Sequence, residues 1–184
     1  MTDERQPTRR PYPFIIALAV VVIVADQASK WWAEATLAGN ETIPVIGDLI
    51  GFRLVYNPGA AFSIGENFTW IFAIVAAVAA VAIAWFAWRV RSRAWAVVFG
   101  LVLGGAITHL GDRLFREPGF ARGHVVDFIV YGNWFVGNIA DIAIVGGAAL
   151  GVLFSLLRID MKRDAPAAAP VEAETPGPDS STAS

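Results

Sequence analysis

Long apolar runs, rather than alternating apolar and polar positions, dominate this chain. The first begins at Phe14 (FIIALAVVVIVA), is broken by Asp26 and resumes through WWAEATL. The second, Asn67 to Trp88, has no formal charge and is long enough to cross a hydrocarbon core of about 30 Å. The third, Ala94 to Gly111, is also uncharged and ends at Asp112. The fourth runs from Asn138 to Leu157, with Asp141 near its start. Backbone polar groups in lipid must be satisfied internally, so the runs predict four transmembrane helices.

Turn-forming residues separate the spans. Residues 38–66 contain Gly39, Pro44, Gly47, Gly51, Pro58, Gly59 and Gly65, and the alternating FRLVY predicts short strands there. Residues 114–136, with Pro118, Gly119, Gly123 and Gly132, predict a second outer loop. The expected fold class is membrane all-α: a four-transmembrane-helix bundle with a small extracytoplasmic β-sheet and a short outer loop or helix. Residues 1–13 are expected as a cytoplasmic tail, 14–158 as the membrane domain and 159–184 as a disordered cytoplasmic tail. From Asp164 onward the chain is mostly Ala, Pro, Glu, Ser and Thr, too poor in large apolar residues to build a core.

Composition supports a membrane protein: 56% of residues are hydrophobic, only 16% are charged, and seven are Trp. The net charge of −2 argues against a nucleic-acid partner, and the absence of cysteine excludes disulfides and thiolate chemistry. Arg9 and Arg10 precede the first run as they would in a secretory signal peptide. The following ADQASKWW is a poor cleavage site, so the segment is expected to stay as a span.

Basic residues set the expected orientation. Arg5, Arg9, Arg10, Arg89, Arg91, Arg93, Arg158, Lys162 and Arg163 all fall on one side, which the positive-inside rule makes cytoplasmic. Both termini are then inside. With that orientation Asp26, Gln27 and Lys30 lie near the outer end of span one, Asp112 and Arg113 near that of span three, and Asn138 and Asp141 near the outer start of span four. Asn57 and Asp127 lie in the outer loops. Ionisable residues at such depth are costly and usually face a bundle interior or a wet cavity.

Asp127 and Asp141 are the only acids in GHVVDFIVYGNWFVGNIADIAIVGG, residues 123–147. As one helix they would stand about 21 Å apart, too far to cooperate. Tyr131-Gly132-Asn133 reads as a turn that can bring them together. Two close carboxylates share a proton, and such a pair can activate water against a carbonyl and then protonate a leaving amine. Blander readings exist for the others. Asp26 and Lys30 are spaced as an i, i+4 ion pair, Asp112 and Arg113 could anchor a helix end, and Asn57 could only form a turn.

Several stretches together resemble the lipoprotein signal peptidases (signal peptidase II) of bacterial inner membranes. DQASK (26–30) resembles the family's DQ-x-x-K motif, and NPGAAFS (57–63) its N-x-G-A-A-F-S segment. GGAITHLGDR (104–113) is similar to a G-G-A-x-G-N-x-x-D-R block, and VVDFI (125–129) and NIAD (138–141) resemble the segments carrying the catalytic aspartates. The resemblance covers about residues 14–158. It implies an aspartic endopeptidase that removes signal peptides from diacylglyceryl-modified prolipoproteins just before the lipidated cysteine, without metal or cofactor. Asp127 and Asp141 would be catalytic. Asp26, Lys30, Asn57, Gly59, Asp112, Arg113 and Asn138 would bind substrate or support the pair. The partners implied are prolipoproteins and membrane phospholipid, which Lys30 and the outer arginines would meet, and a monomer is expected.

Two positions depart from the family pattern. Thr108-His109 stands where the block usually reads G-N, and Gly137 stands where Phe commonly precedes the Asn. His109 is therefore left out of the expected site. Two rivals remain. HLGD (His109, Asp112) and HVVD (His124, Asp127) could supply two His and two carboxylates to zinc, although no H-E-x-x-H helix is present. A cation-coupled carrier would use intramembrane acids, but such sites favour the bilayer midplane, whereas these acids cluster at one boundary.

Overall fold

The computed structural model describes residues 10–37, 39, 41–59 and 69–162. Among them, four helices, α1 (Tyr12–Thr36), α2 (Thr69–Ala87), α3 (Arg93–Phe115) and α4 (Ile139–Leu156), are each long and apolar enough to cross a membrane. Four strands, β1 (Ile43–Ile46), β2 (Ile50–Asn57), β3 (Val125–Tyr131) and β4 (Phe135–Gly137), form one antiparallel sheet in chain order. The hairpin β1–β2 follows α1, and the hairpin β3–β4 joins α3 to α4.

Large apolar side chains cover the outside of the bundle. Val20, Val21 and Val24 on α1 and Val75, Val78 and Val81 on α2 are all more than half exposed. A soluble protein rarely shows so continuous an apolar surface; lipid is its natural solvent. Between the helices, small residues replace large ones. A Cβ at Gly104 would stand 2.7 Å from that of Val22 on α1, and one at Gly105 would stand 2.6 Å from Ile144 Cγ1 on α4. These two adjacent glycines let α3 approach α1 and α4 backbone to backbone, the usual route to tight packing where no hydrophobic drive separates helix from lipid.

The sheet corrects one expectation. Residues 114–136 are not only an outer loop or helix: they carry β3 and most of β4, and β3 is an inner strand paired with both β2 and β4. Its run VVDFIVY is buried from Val125 to Val130, so both faces are covered and no alternation marks it as a strand. One side packs Phe128 against Trp32 of α1 and Phe52 of β2, with ring centroids 6.1 and 6.2 Å apart. The hairpin turns at Gly132, whose φ of 53° is open to glycine without strain.

Helix α3 also runs a turn beyond its expected end, placing Asp112 and Arg113 inside it. Tertiary partners satisfy those side chains, so the charges do not stop the helix. After it the chain folds back so closely that a Cβ at Gly123 would overlap the Asp112 carbonyl oxygen. Of the expected C-terminal tail, residues 159–162 lie against the α2–α3 connection, where Met161 O accepts from Arg91 N and Ser92 N. The rest of that tail, and residues 1–9 of the N-terminal one, fall outside the described residues.

Candidate active site

The register of α3 organises the polar end of the bundle. One turn beyond Gly104, which faces α1, stands Thr108, and one turn beyond that stands Asp112; both meet α1. Thr108 Oγ1 donates to Asp26 Oδ2 at 2.6 Å, and Asp112 accepts from Lys30 Nζ at 2.6 Å and from Gln27 Nε2 at 2.9 Å. One turn beyond Gly105, which faces α4, stands His109, and then Arg113. His109 Nε2 lies 3.1 Å from Asp141 Oδ1. The two interleaved i, i+4 rows therefore serve two sites.

The first is a buried charge network. Lys30 is fully buried between Asp26 and Asp112, 2.5 and 2.6 Å from their oxygens. Arg116 extends it outward, bonding Asp112 at 2.8 Å and Glu34 at 2.6 Å. Asp26 also reaches a third helix, since its Oδ1 accepts from the backbone N–H of Ala140 at 2.9 Å, at the N-terminus of α4. Carboxylates are favoured there because the first helical N–H groups have no partner within the helix. Buried charges persist only when paired and hydrogen-bonded, and among the described residues no buried side-chain N or O lacks a partner.

The second site holds the two central aspartates. Asn138 is the N-cap of α4 and forms a capping box with Asp141: its Oδ1 accepts from Asp141 N at 3.1 Å, and its own N–H donates to Asp141 Oδ2 at 2.9 Å. The Asn138 side-chain amide also donates to Asp127 Oδ1 at 2.7 Å, and Asn57 Nδ2 donates to Asp127 Oδ2 at 2.9 Å. A single residue thus touches both carboxylates. Asn57 reaches its place because β2 pairs with β3, setting Asn57 opposite Val125 and Val55 opposite Asp127.

Arg113 fixes the segment after β2. Its guanidinium donates to the carbonyls of Asn57, Pro58 and Gly123, each at 3.0 Å, and to that of Gly59. Gly59 N in turn donates to Asn57 Oδ1 at 3.0 Å, which leaves the Asn57 amide directed at Asp127. The remaining NPGAAFS residues lie outside the described residues.

Asp127, Asp141, His109, Arg113 and Asn57 line one cleft of about 460 Å³ whose other wall is apolar, from Phe72, Val75 and Ala76 of α2 and Val145 of α4. Asp127 is only 3% exposed, whereas the Asp141 side chain is 38% exposed. Burial, reinforced by the nearby charge of Asp141, pushes the Asp127 carboxyl up to about 6, against the opposing amide bonds from Asn57 and Asn138. The pair therefore consists of a sequestered carboxyl that keeps its proton to higher pH than an ordinary aspartate and a more accessible carboxylate.

Every expected site residue is placed at this end of the bundle, but not in one cluster. Asp127, Asp141, Asn57, Asn138, Gly59 and Arg113 meet around the cleft, while Asp26, Lys30 and Asp112 form the network behind it. His109, omitted from the expected site, touches Asp141 directly. Its signal was its spacing, four residues before Arg113 and four after Gly105. The two His-x-x-Asp pairs do not converge: His109 lines the aspartate cleft and His124 a separate one beside Glu34. Among the described residues no three His, Asp or Glu side chains gather as a metal-binding group. Gly137 gives Asp141 room, since a Cβ there would lie 2.9 Å from Asp141 Oδ2.

Four apolar spans around a polar cleft with two carboxylates define a multi-pass membrane protein with an enzyme-like site. Residues 18–157 match the family model described as signal peptidase (SPase) II, and the chain belongs to that family. It is 42% identical over 175 residues to the lipoprotein signal peptidase of Leifsonia xyli subsp. xyli, covering 92% of this chain and 81% of that one. It is also 42% identical over 154 residues to the lipoprotein signal peptidase of Mycobacterium tuberculosis H37Rv, covering 84% and 76%. A bacterial membrane enzyme solved by the in meso method at 2.3 Å resolution superimposes with a TM-score of 0.72 at 26% identity, covering 84% of this chain and 93% of that one. A second, solved at 1.9 Å, shares the fold with a TM-score of 0.69 at 24% identity, covering 85% and 100%. The chain is accordingly a peptidase of the bacterial inner membrane that spans it several times.

Proposed function

We propose that this protein cleaves signal peptides from diacylglyceryl-modified prolipoproteins, using a water molecule activated between Asp127 and Asp141. The observation that carries this reading is Asn138, whose side-chain amide holds Asp127 while its backbone N–H holds Asp141. The exposed Asp141 is the base: it takes a proton from water as the water oxygen attacks the scissile carbonyl carbon. Asp127 gives its proton to the carbonyl oxygen. Collapse of the tetrahedral intermediate breaks the C–N bond: one of its hydroxyls returns a proton to Asp127 as the carbonyl re-forms, and the proton held by Asp141 passes to the amine of the lipidated cysteine.

The substrate's chemistry suits the cleft. An apolar signal helix fits against the α2 and α4 wall, and its scissile bond then lies at the carboxylates. Asn57, Gly59 and Arg113 shape the floor, and Asp26, Lys30 and Asp112 fix the α1–α3–α4 junction beneath it. The basic residues collected at the opposite end support, by the positive-inside rule, cytoplasmic termini with the sheet and cleft at the extracytoplasmic face. The chain is expected to act as a monomer.

The test is incubation of the purified protein in detergent with a diacylglyceryl-modified prolipoprotein and with its unlipidated precursor, each with a chelator present. Cleavage of the lipidated form alone, immediately before the modified cysteine, is expected. Cleavage of both forms would refute the lipid requirement, and loss of cleavage with chelator would refute the metal-free mechanism.

A further inference from the structure

At the end of the bundle away from the aspartates, three chain segments meet around a second cavity. Arg10 precedes α1, Arg89 and Arg91 lie in the α2–α3 connection, and Lys162 follows α4; with Trp88 they line a cleft of about 310 Å³. No carboxylate of the described residues is in ion-pair range of any of these four cations. Four like charges would repel one another and splay apart unless the backbone held them together.

The backbone does so. After α4 the chain reverses at Arg158, whose φ of 55° forms a left-handed helix cap, with Ile159 N donating to Phe154 O at 2.9 Å. Met161 O then accepts from Arg91 N at 2.9 Å and Ser92 N at 3.1 Å, while Trp95 Nε1 donates to Ile159 O at 2.8 Å. These bonds fasten Lys162 beside the α2–α3 connection. Trp88 is also fixed, edge-on to Tyr12 at 4.9 Å and under the Arg10 guanidinium at 5.5 Å.

Tyr12, Trp85, Trp88 and Trp95 mark this level as the boundary between hydrocarbon and headgroups, where amphipathic rings collect. A fixed cluster of cations at that depth fits a ligand with net negative charge whose tail lies in the bilayer. We propose that the cavity of Arg10, Arg89, Arg91 and Lys162 binds the phosphate headgroup of an anionic phospholipid. A zwitterionic headgroup carries its own cation and gains little from this cluster, whereas an anionic one is attracted by all four.

The experiment is native mass spectrometry of the full chain released from mixed micelles of phosphatidylglycerol and phosphatidylcholine. Preferential retention of phosphatidylglycerol is expected. The pair Arg91→Gln with Lys162→Gln should weaken that retention roughly tenfold, because each basic group near a membrane surface contributes several-fold to anionic-lipid affinity. The backbone bonds at Met161 survive both substitutions. Arg91→Lys with Lys162→Arg should retain the lipid, which separates charge from folding. Arg158→Gln, an exposed cation at the same end of the bundle but outside the cavity lining, should change nothing. Equal retention of the two lipids, or an equal loss in Arg158→Gln, would overturn the site in favour of diffuse attraction. Displacement by equimolar glycerol phosphate would overturn the lipid assignment in favour of a soluble phosphate ligand.

Discussion

His109 Nε2 stands 3.1 Å from Asp141 Oδ1, while the Asn138 N–H occupies the other oxygen of that carboxylate. The imidazole is 20% exposed, so it is partly solvated while contacting an aspartate that faces the cleft. An amide at this position could donate the same hydrogen bond but could not change its charge. His109→Asn is therefore expected to keep most of the activity. His109→Ala, which leaves the oxygen without a donor, should lose roughly tenfold to a hundredfold in kcat/KM. A loss in His109→Asn as large as in His109→Ala would show that the hydrogen bond to Asp141 is not what this position supplies.

Replacing either central carboxylate should remove the chemistry and spare the fold. Asp127→Asn and Asp141→Asn are each expected to reduce kcat by about a hundredfold to ten-thousandfold, the usual range for an acid–base group. Single-turnover cleavage measures this directly. Activity near wild type in either variant would contradict the paired mechanism.

Asp127 also makes a prediction with a definite sign. Its carboxyl is pushed up to about 6 by burial, so the protonated form is present below that pH and lost above it. With Asp127 as the acid, kcat/KM should fall on the alkaline side with an apparent pKa near 6, a property of the pair rather than of one group. The Asn57 amide opposes the upward shift, so Asn57→Ala should move this limb to higher pH. Stability follows the same linkage: a carboxyl raised on folding favours the folded state below its unfolded pKa, and that contribution disappears as pH rises through about 6.

Asp26 is expected to support structure and turnover together. Asp26→Asn leaves Lys30 with Asp112 alone and weakens the cap on Ala140 N, so a loss of roughly 3 kcal/mol is expected, typical of a broken buried ion pair. Thermal unfolding in detergent and cleavage rate should fall together. A wild-type melting temperature would argue that the network is not what holds α4.

Gly105 offers the sharpest packing test. Gly105→Ala places a methyl 2.9 Å from the Ala140 carbonyl oxygen, where the backbone must move, and about 1–3 kcal/mol of destabilisation is expected. Because the same helices carry His109 and Asp141, activity should drop as well. Gly146→Ala meets nothing within 4 Å and should be neutral in both measurements.

Sequence reading reached much of this arrangement because lipid leaves few options. Apolar runs such as Asn67 to Trp88 announce their helices by length and absence of charge, and a lone Asp within them announces a polar interior. The rest was not legible for two reasons, a missing pattern and partners distant in sequence. VVDFIVY is buried on both faces and so shows no alternation, which hid β3 inside an expected loop. Helix α3 outlasts its uncharged run because Lys30, Gln27 and the carbonyls after β2 receive Asp112 and Arg113, partners that the local sequence does not show.

The sequence by itself determined four spans and the residue types able to bind, support or react, since solvation in lipid is a local property readable from each segment. It also contained the two i, i+4 rows of α3 that run from Gly104 and Gly105 to Asp112 and Arg113. Only the tertiary structure decided which helix each row faces. That choice depends on backbone approach at the two glycines, and it sends Thr108 to Asp26 and His109 to Asp141. The division of acids into a buried network and a pair at the cleft was decided there too, because burial and charge neighbours arise only when distant segments meet.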